Sequence, residues 1–93
     1  AFLRSPEEGP EAQQMRLEMM RAIEHCLDDL PDDQRVTAVL RDIEGYDYNE
    51  IADITSSSLG TVKSRLSRAR SKLRDCLQGF MELLPAEYRL QTN

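Results

Sequence analysis

The stretch that decides the fold is Leu59–Leu77, LGTVKSRLSRARSKLRDCL. Its apolar residues recur at steps of three or four, the period of one helical face: Leu59, Val62, Leu66, Ala69, Leu73 and Leu77. The other faces carry one acid, Asp75, and six basic residues: Lys63, Arg65, Arg68, Arg70, Lys72 and Arg74. Such a helix can bury one side against a core and present the other to a polyanion, because basic side chains bind phosphate and reach base edges.

The composition is that of one small folded domain. The chain has 93 residues, of which 31% are charged and 40% hydrophobic, and so short a chain favours a compact helical bundle. No apolar run approaches the roughly 20 residues of a membrane span, and we expect no membrane insertion. Residues 1–58 carry a net charge of −9 and residues 59–93 one of +4. This asymmetry suggests a nucleic-acid face and a separate partner face, or a merely solvated acidic surface.

The cysteine and histidine content argues against a metal centre. Cys26, Cys76 and His25 are the only residues of these types, and at these spacings they cannot supply four ligands. Both cysteines fall on apolar faces of predicted helices, so we expect two buried free thiols in a reducing cytoplasm, with redox sensing as the alternative. No nucleophile lies near a histidine and no glycine-rich phosphate loop follows a strand, so we predict no catalytic residues, no cofactor and no enzyme.

The chain divides into three parts. Residues 1–10, with two prolines and a glycine, read as a linker from an upstream domain. Residues 11–79 hold the helical periodicity and form the predicted domain. Residues 80–93 form a C-terminal tail, whose apolar residues either extend the last helix past Gly79 or fold back on the first helix; its end is expected to fray.

The first two predicted helices are residues 11–29 and 31–44. The first has an apolar face, made by Ala12, Met15, Met19, Ile23, Cys26, Leu27 and Leu30. The second starts at Pro31 and stops at Gly45 in a left-handed conformation. Its predicted buried positions are Val36, Val39, Leu40 and Ile43.

The remaining helices have the layout of a helix-turn-helix. Asp47 and Glu50 have the spacing of a capping box that starts a short third helix. Ser56–Ser58 form a polar break, and one of these serines is expected to cap the long basic helix. In such a motif the second helix enters the major groove. The predicted fold is therefore all-α, a small four-helix domain, although its turn lacks the glycine common in these motifs.

The segment from Asp29 to Leu77 resembles region 4, the C-terminal domain of bacterial sigma factors, and most closely that of the extracytoplasmic-function group. The matching marks are LP at 30–31, G at 45, YNEIA at 48–52 and above all GTVKSRLSRAR at 60–70. The likeness covers roughly residues 11–77. Ser58 departs from the family pattern, in which many members have proline.

The resemblance implies a bacterial cytoplasmic domain that binds the promoter minus-35 element, contacts the beta-subunit flap of RNA polymerase and is often controlled by an anti-sigma factor. Base-facing residues would be Lys63, Ser64, Ser67 and Arg68. Contacts to the DNA backbone would come from Arg41, Gly60, Thr61 and Arg65. On charge alone, Arg70 and Lys72 either contact phosphate as well or stay solvated. Region 2, which carries most core-enzyme binding and promoter opening in the family, is not in this chain, so we do not expect it to initiate transcription by itself.

Helical geometry agrees with the base-facing set. Lys63 and Ser67 are four positions apart, as are Ser64 and Arg68, so the four form a patch opposite the apolar stripe. Arg68 can make a bidentate pair with guanine, which discriminates between bases by about 1–3 kcal/mol.

Two other interpretations stay open at this stage. One is the effector domain of LuxR-type regulators, which also has a GTVK-like recognition helix but dimerises on palindromic sites; the SRAR run at 67–70 favours the sigma group. The other is a helical protein-interaction module without DNA binding, in which the acidic helices dock a partner and the basic helix is only solvated.

Overall fold

The computed structural model describes residues 9–83. Residues 1–8 of the predicted linker and residues 84–93 of the predicted tail lie outside this range. The described residues form four α-helices and no strand. The helices are α1, Pro10–Asp28; α2, Asp32–Ala38; α3, Tyr48–Ile54; and α4, Leu59–Met81. A π-helical turn, Val39–Ile43, continues α2. The all-α prediction with a helix-turn-helix is confirmed.

The predicted start and stop signals act where the sequence places them. The Glu50 N–H donates to the Asp47 carboxylate at 2.8 Å, and the Asp47 N–H donates to the Glu50 carboxylate at 3.0 Å. This reciprocal capping box satisfies two otherwise unpaired donors at the start of α3. Gly45 has a φ of +82° and ends the helical segment before it. The helix α4 continues through Gly79 to Met81. The first residues of the predicted tail therefore extend the last helix and do not fold back on the first.

The core lies where α2 crosses α4. Leu30 and Ala38 cluster there with Leu66 and Ala69 of α4. Alanine on both helices leaves room for the two backbones to approach closely. Ile51 of α3 and Val62 of α4 are also fully buried, so the short helix of the motif is anchored on the same helix as α2.

The buried face of α2 and the π-helical turn is only partly the one that we predicted, since Val39 and Leu40 are half-buried and the other two predicted residues are exposed. Val36 and Ile43 are 43% and 63% exposed, whereas the buried residues of α2 are Gln34, Thr37 and Ala38. Thr37 can occupy the core because its hydroxyl donates to the Asp33 carbonyl oxygen at 2.8 Å, so this hydroxyl is not left unpaired.

The apolar stripe of α4 is buried at its centre. Val62, Leu66 and Ala69 are buried, as the spacing predicted. Leu59 is 38% exposed, and its assignment to the buried stripe is wrong. It is the first residue of α4 and precedes the stretch that packs on α2 and α3.

The prediction of two free thiols is wrong, because Cys26 and Cys76 form a disulfide with a Cα–Cα distance of 5.8 Å. The bond joins α1 to the C-terminal half of α4. The apolar periodicity that predicted buried cysteines also turned both toward the α1–α4 contact. The sequence did not show that the two cysteines lie at the same level along the α1–α4 contact. Since the thiols are not free, they no longer support the inference of a reducing compartment.

Reduction of the disulfide should lower the free energy of unfolding by about 2–4 kcal/mol, because the cross-link restricts the unfolded chain. The two cysteines are 50 positions apart. Urea unfolding with and without reductant measures the change. A Cys26→Ala/Cys76→Ala variant is the control, since reductant should leave its midpoint unchanged; equal midpoints for the parent chain would contradict the prediction.

Ser56 takes the place of the missing turn glycine. Its φ is +51°, in the left-handed region that costs a non-glycine residue about 1–2 kcal/mol. Ser56→Gly should therefore raise the free energy of unfolding by about 0.5–1 kcal/mol, since the greater entropy of unfolded glycine offsets part of the relief. Ser57→Gly is the comparison variant and should destabilise, because Ser57 does not have a positive φ and its hydroxyl bonds Arg65 and the Thr55 carbonyl oxygen. Denaturant unfolding tests both; a less stable Ser56→Gly variant would refute the assignment.

Candidate nucleic-acid interface

The start of α4 is fixed by Ser58. Its hydroxyl oxygen accepts from the Thr61 N–H at 3.1 Å, and the hydroxyl donates to the Thr61 Oγ1 at 2.9 Å. The side chain thus satisfies one of the free N–H groups at the helix N-terminus. A proline at position 58 would have no such hydroxyl, so the departure from the family pattern supplies a side-chain cap.

The four predicted base-facing residues are all exposed on α4: Lys63, Ser64, Ser67 and Arg68. Within residues 9–83 their side chains make no hydrogen bond or ion pair with another side chain. The buried residues Val62, Leu66 and Ala69 lie on the opposite side of the helix and pack in the core. The patch is therefore rigidly supported, and its polar groups are available to a ligand.

An open hollow of about 470 Å³ lies at the N-terminal end of α4. Its lining residues are Asp33, Ser58, Gly60, Thr61, Ser64, Arg65 and Arg68. The hollow brings together two predicted base-facing residues and three predicted backbone-contacting residues. It also contains two residues that the sequence did not assign to the site, Asp33 and the helix-capping Ser58.

Arg65 is already engaged within the domain. Its Nε lies 3.3 Å from the Asp33 Oδ2, and its Nη1 donates to the Ser57 Oγ at 2.7 Å. The Arg65 side chain is 26% exposed. This guanidinium therefore links α2, the turn of the motif and α4.

Arg70 is also engaged, in a two-pronged ion pair with Asp42. Its Nε donates to the Asp42 Oδ2 at 3.1 Å, and its Nη2 donates to the other carboxylate oxygen. The hydrogen bond to Asp42 raises the pKa of the Arg70 guanidinium above its ordinary value, against the opposing effect of partial burial. Arg70 stays charged at any working pH and holds α4 to the π-helical turn.

Of the other residues predicted to contact the DNA backbone, some are engaged within the domain and some are exposed. The Arg41 Nη1 donates to the Tyr46 carbonyl oxygen at 3.0 Å, and its guanidinium lies 5.2 Å from the centroid of the Tyr48 ring. Lys72 is exposed and has no ion-pair partner among the described side chains. Three arginines are thus paired within the domain, whereas Gly60 and Lys72 are exposed. Thr61 is half-buried and bonded to Ser58.

Sequence reasoning missed Asp33 and Asp42 as parts of this surface. Asp42 precedes its partner by 28 positions, and no local spacing rule connects acids on one helix with arginines on another. The only signal was the acidic charge of residues 1–58, which did not single out these two carboxylates. In the described part of the chain no cluster of side chains is suited to hold a metal ion. Across residues 9–83, no helix combines the length and apolarity needed to span a bilayer.

A short capped helix, a tight turn and a long helix with a free basic face define a helix-turn-helix domain of the nucleic-acid-binding class. Comparison with known families assigns it more closely. Residues 20–73 match the family "Sigma-70, region 4", and the chain belongs to that family. The resemblance noted in the sequence is confirmed.

The chain is also similar to several sigma factors. The chain is similar to the ECF RNA polymerase sigma-E factor of Haemophilus influenzae, with 35% identity over 77% of this chain and 38% of that protein. It is similar to the RNA polymerase sigma-H factor of Pseudomonas aeruginosa, with 37% identity over 80% of this chain and 38% of that protein. The ECF RNA polymerase sigma factor SigE of Mycolicibacterium smegmatis is 41% identical over 80% of this chain and 30% of its own length. The chain therefore spans well under half the length of these relatives.

Removal of the Ser58 cap should destabilise α4. Ser58→Ala should lower the free energy of unfolding by about 1 kcal/mol, the usual contribution of a serine N-cap. Ser71→Ala, at an exposed position inside α4, is the control and should be neutral or slightly stabilising, because alanine favours the helix. Thermal unfolding of the two variants measures the difference; an equal effect of both would exclude a capping role.

Proposed function

We propose that this chain is the promoter-reading domain of a sigma factor and that α4 binds the minus-35 element. The observation that carries the proposal is the unpaired patch of Lys63, Ser64, Ser67 and Arg68 on the exposed side of the second helix of the motif. Membership of the sigma-70 region 4 family supports it and favours it over a LuxR-type regulator. The domain then reads one asymmetric site as a monomer.

Each part of α4 has a separate task in this proposal. Arg68 offers a planar fork of donors to a guanine edge, and Lys63 with the two serines reads neighbouring bases. Lys72 and the N-terminal N–H groups of α4, near Gly60 and Thr61, hold the phosphate backbone. Arg41, Arg65 and Arg70 reach a phosphate only after leaving their present partners, so we assign them to the scaffold first and to the backbone second.

Contact with RNA polymerase is proposed through apolar side chains outside α4. Val36 and Ile43, which we predicted to be buried, are exposed together with Tyr46 and Ile54. Single exposed apolar side chains are common on protein surfaces, so the choice of partner rests on the family resemblance, which implies the beta-subunit flap. On the ground of the family, and not of the cysteines, we further propose bacterial cytoplasmic action and control by an anti-sigma factor. Such a factor would block DNA binding by covering the basic face of α4.

Selection of duplex DNA by this chain at low salt tests the proposal. The parent chain should enrich a single asymmetric motif. Arg68→Ala should blur one position of that motif, at a cost of about 1–3 kcal/mol in base discrimination. Lys72→Ala is the control, because loss of a phosphate contact weakens all duplexes alike and lowers the salt slope by about one unit.

Three outcomes would contradict the proposal. A palindromic motif would indicate a dimeric regulator. A selection profile unchanged by Arg68→Ala would place that side chain outside the groove. Lack of enrichment for any duplex would leave only the interpretation of the domain as a protein-interaction module.

A further inference from the structure

Asp33 places a carboxylate at the edge of the hollow that the proposed function assigns to DNA. The acid comes from α2, but its side chain lines the hollow beside Ser64 and Arg68 of α4. The Asp33 side chain is 52% exposed, and its Oδ2 lies 3.3 Å from the Arg65 Nε. A phosphate entering the hollow would therefore meet a negative charge as well as the two arginines.

The contact with Asp33 also determines what Arg65 can do. The Nε and Nη1 atoms of the guanidinium are engaged by Asp33 and Ser57, so two of its five N–H donors are committed and the two-pronged phosphate contact that uses Nε is closed. An arginine held by a carboxylate has little net charge to release counterions from DNA, and counterion release supplies most sequence-independent affinity. Arg68, in the same hollow, has no such ion pair in the described residues.

We propose that Asp33 determines how selectively this domain binds DNA, by withholding Arg65 from the phosphate backbone. Asp33 acts through Arg65 and is therefore a positioning residue. With Arg65 neutralised and held against the turn, sequence-independent binding stays weak, and affinity depends on the base-facing patch. This inference rests on the proposed function, because it concerns the same surface of α4.

The test compares Asp33→Asn with Asp32→Asn. Asparagine keeps an oxygen that can accept the Gln34 N–H, which the Asp33 Oδ1 now accepts at 2.9 Å. Asp32 is the matched control, because its loss changes the net charge equally. Its side chain is 90% exposed and paired with Arg35, and it does not line the hollow.

The measured quantity is the affinity of each purified 93-residue variant for a random 20-base-pair duplex across a salt series. Asp33→Asn should steepen the plot of log affinity against log salt by about 0.9, the value for one added phosphate contact. Between 50 and 200 mM salt its affinity should fall about 3.5-fold more than that of the parent chain, as that slope implies. Its preference for the selected motif over the random duplex should decrease. Asp32→Asn should leave the slope unchanged.

Arg65→Ala separates this role from a purely structural one. In the parent chain it should not alter the salt slope, because Arg65 is withheld from the phosphate. In combination with Asp33→Asn it should abolish the steeper slope. Arg65→Ala alone also tests the inference if circular dichroism shows that Asp33→Asn is unfolded. A salt slope lowered by about one unit in Arg65→Ala would show that Arg65 already binds phosphate and would overturn the inference.

The remaining outcomes distinguish the inference from the function on which it rests. Equal slopes for folded Asp33→Asn and Asp32→Asn, with salt-dependent binding by the parent chain, would overturn the inference and leave the DNA-binding function standing. No salt-dependent binding by the parent chain or any variant would overturn both. A steeper slope that persists in the double variant would show that Asp33 acts directly on DNA and not through Arg65.

Discussion

The packing of α2 on α4 is the contact on which the rest of this domain depends. Ala38 meets Leu66 and Ala69 at the crossing, with Thr37 buried beside them. A helix can be buried on one side only if its neighbour approaches closely, and small side chains on both helices permit that approach. Once this side of α4 is in the core, helical geometry turns Lys63, Ser64, Ser67 and Arg68 to solvent. The candidate reading surface is thus a consequence of a hydrophobic contact on the other side of the same helix.

The acidic first half of the chain has a structural use that its net charge conceals. Asp33 pairs with Arg65 near the start of α2, and Asp42 pairs with Arg70 within the π-helical turn that follows it. Exposed ion pairs of this kind contribute little stability, but they determine which cations of α4 are committed to the scaffold. The basic helix is therefore divided into arginines that hold neighbouring elements and side chains that are free to meet a ligand. In the proposed function, these acids do more than repel DNA, because they leave only part of α4 available to it.

The helix α1 is held differently from the motif. A covalent bond between Cys26 and Cys76 joins it to the part of α4 beyond the candidate interface. Because α4 is continuous from Leu59 to Met81, one rigid rod connects the disulfide at one end with the reading surface at the other. The short helix α3 needs no such link, since its capping box and the buried Ile51 already hold it at the start of the motif.

By itself, the sequence determined the features that depend on neighbours along the chain. The capping box of Asp47 and Glu50, the stop at Gly45, the serine cap of α4 and the buried centre of α4 all follow from local hydrogen bonding and helical period. Tertiary structure decided the rest, because those features depend on which helix faces meet. It buried Thr37 and exposed Val36, joined the two cysteines, and paired Asp33 and Asp42 with arginines remote in the chain. Helical period predicts that a residue lies on a face, but only the packed fold determines what that face touches.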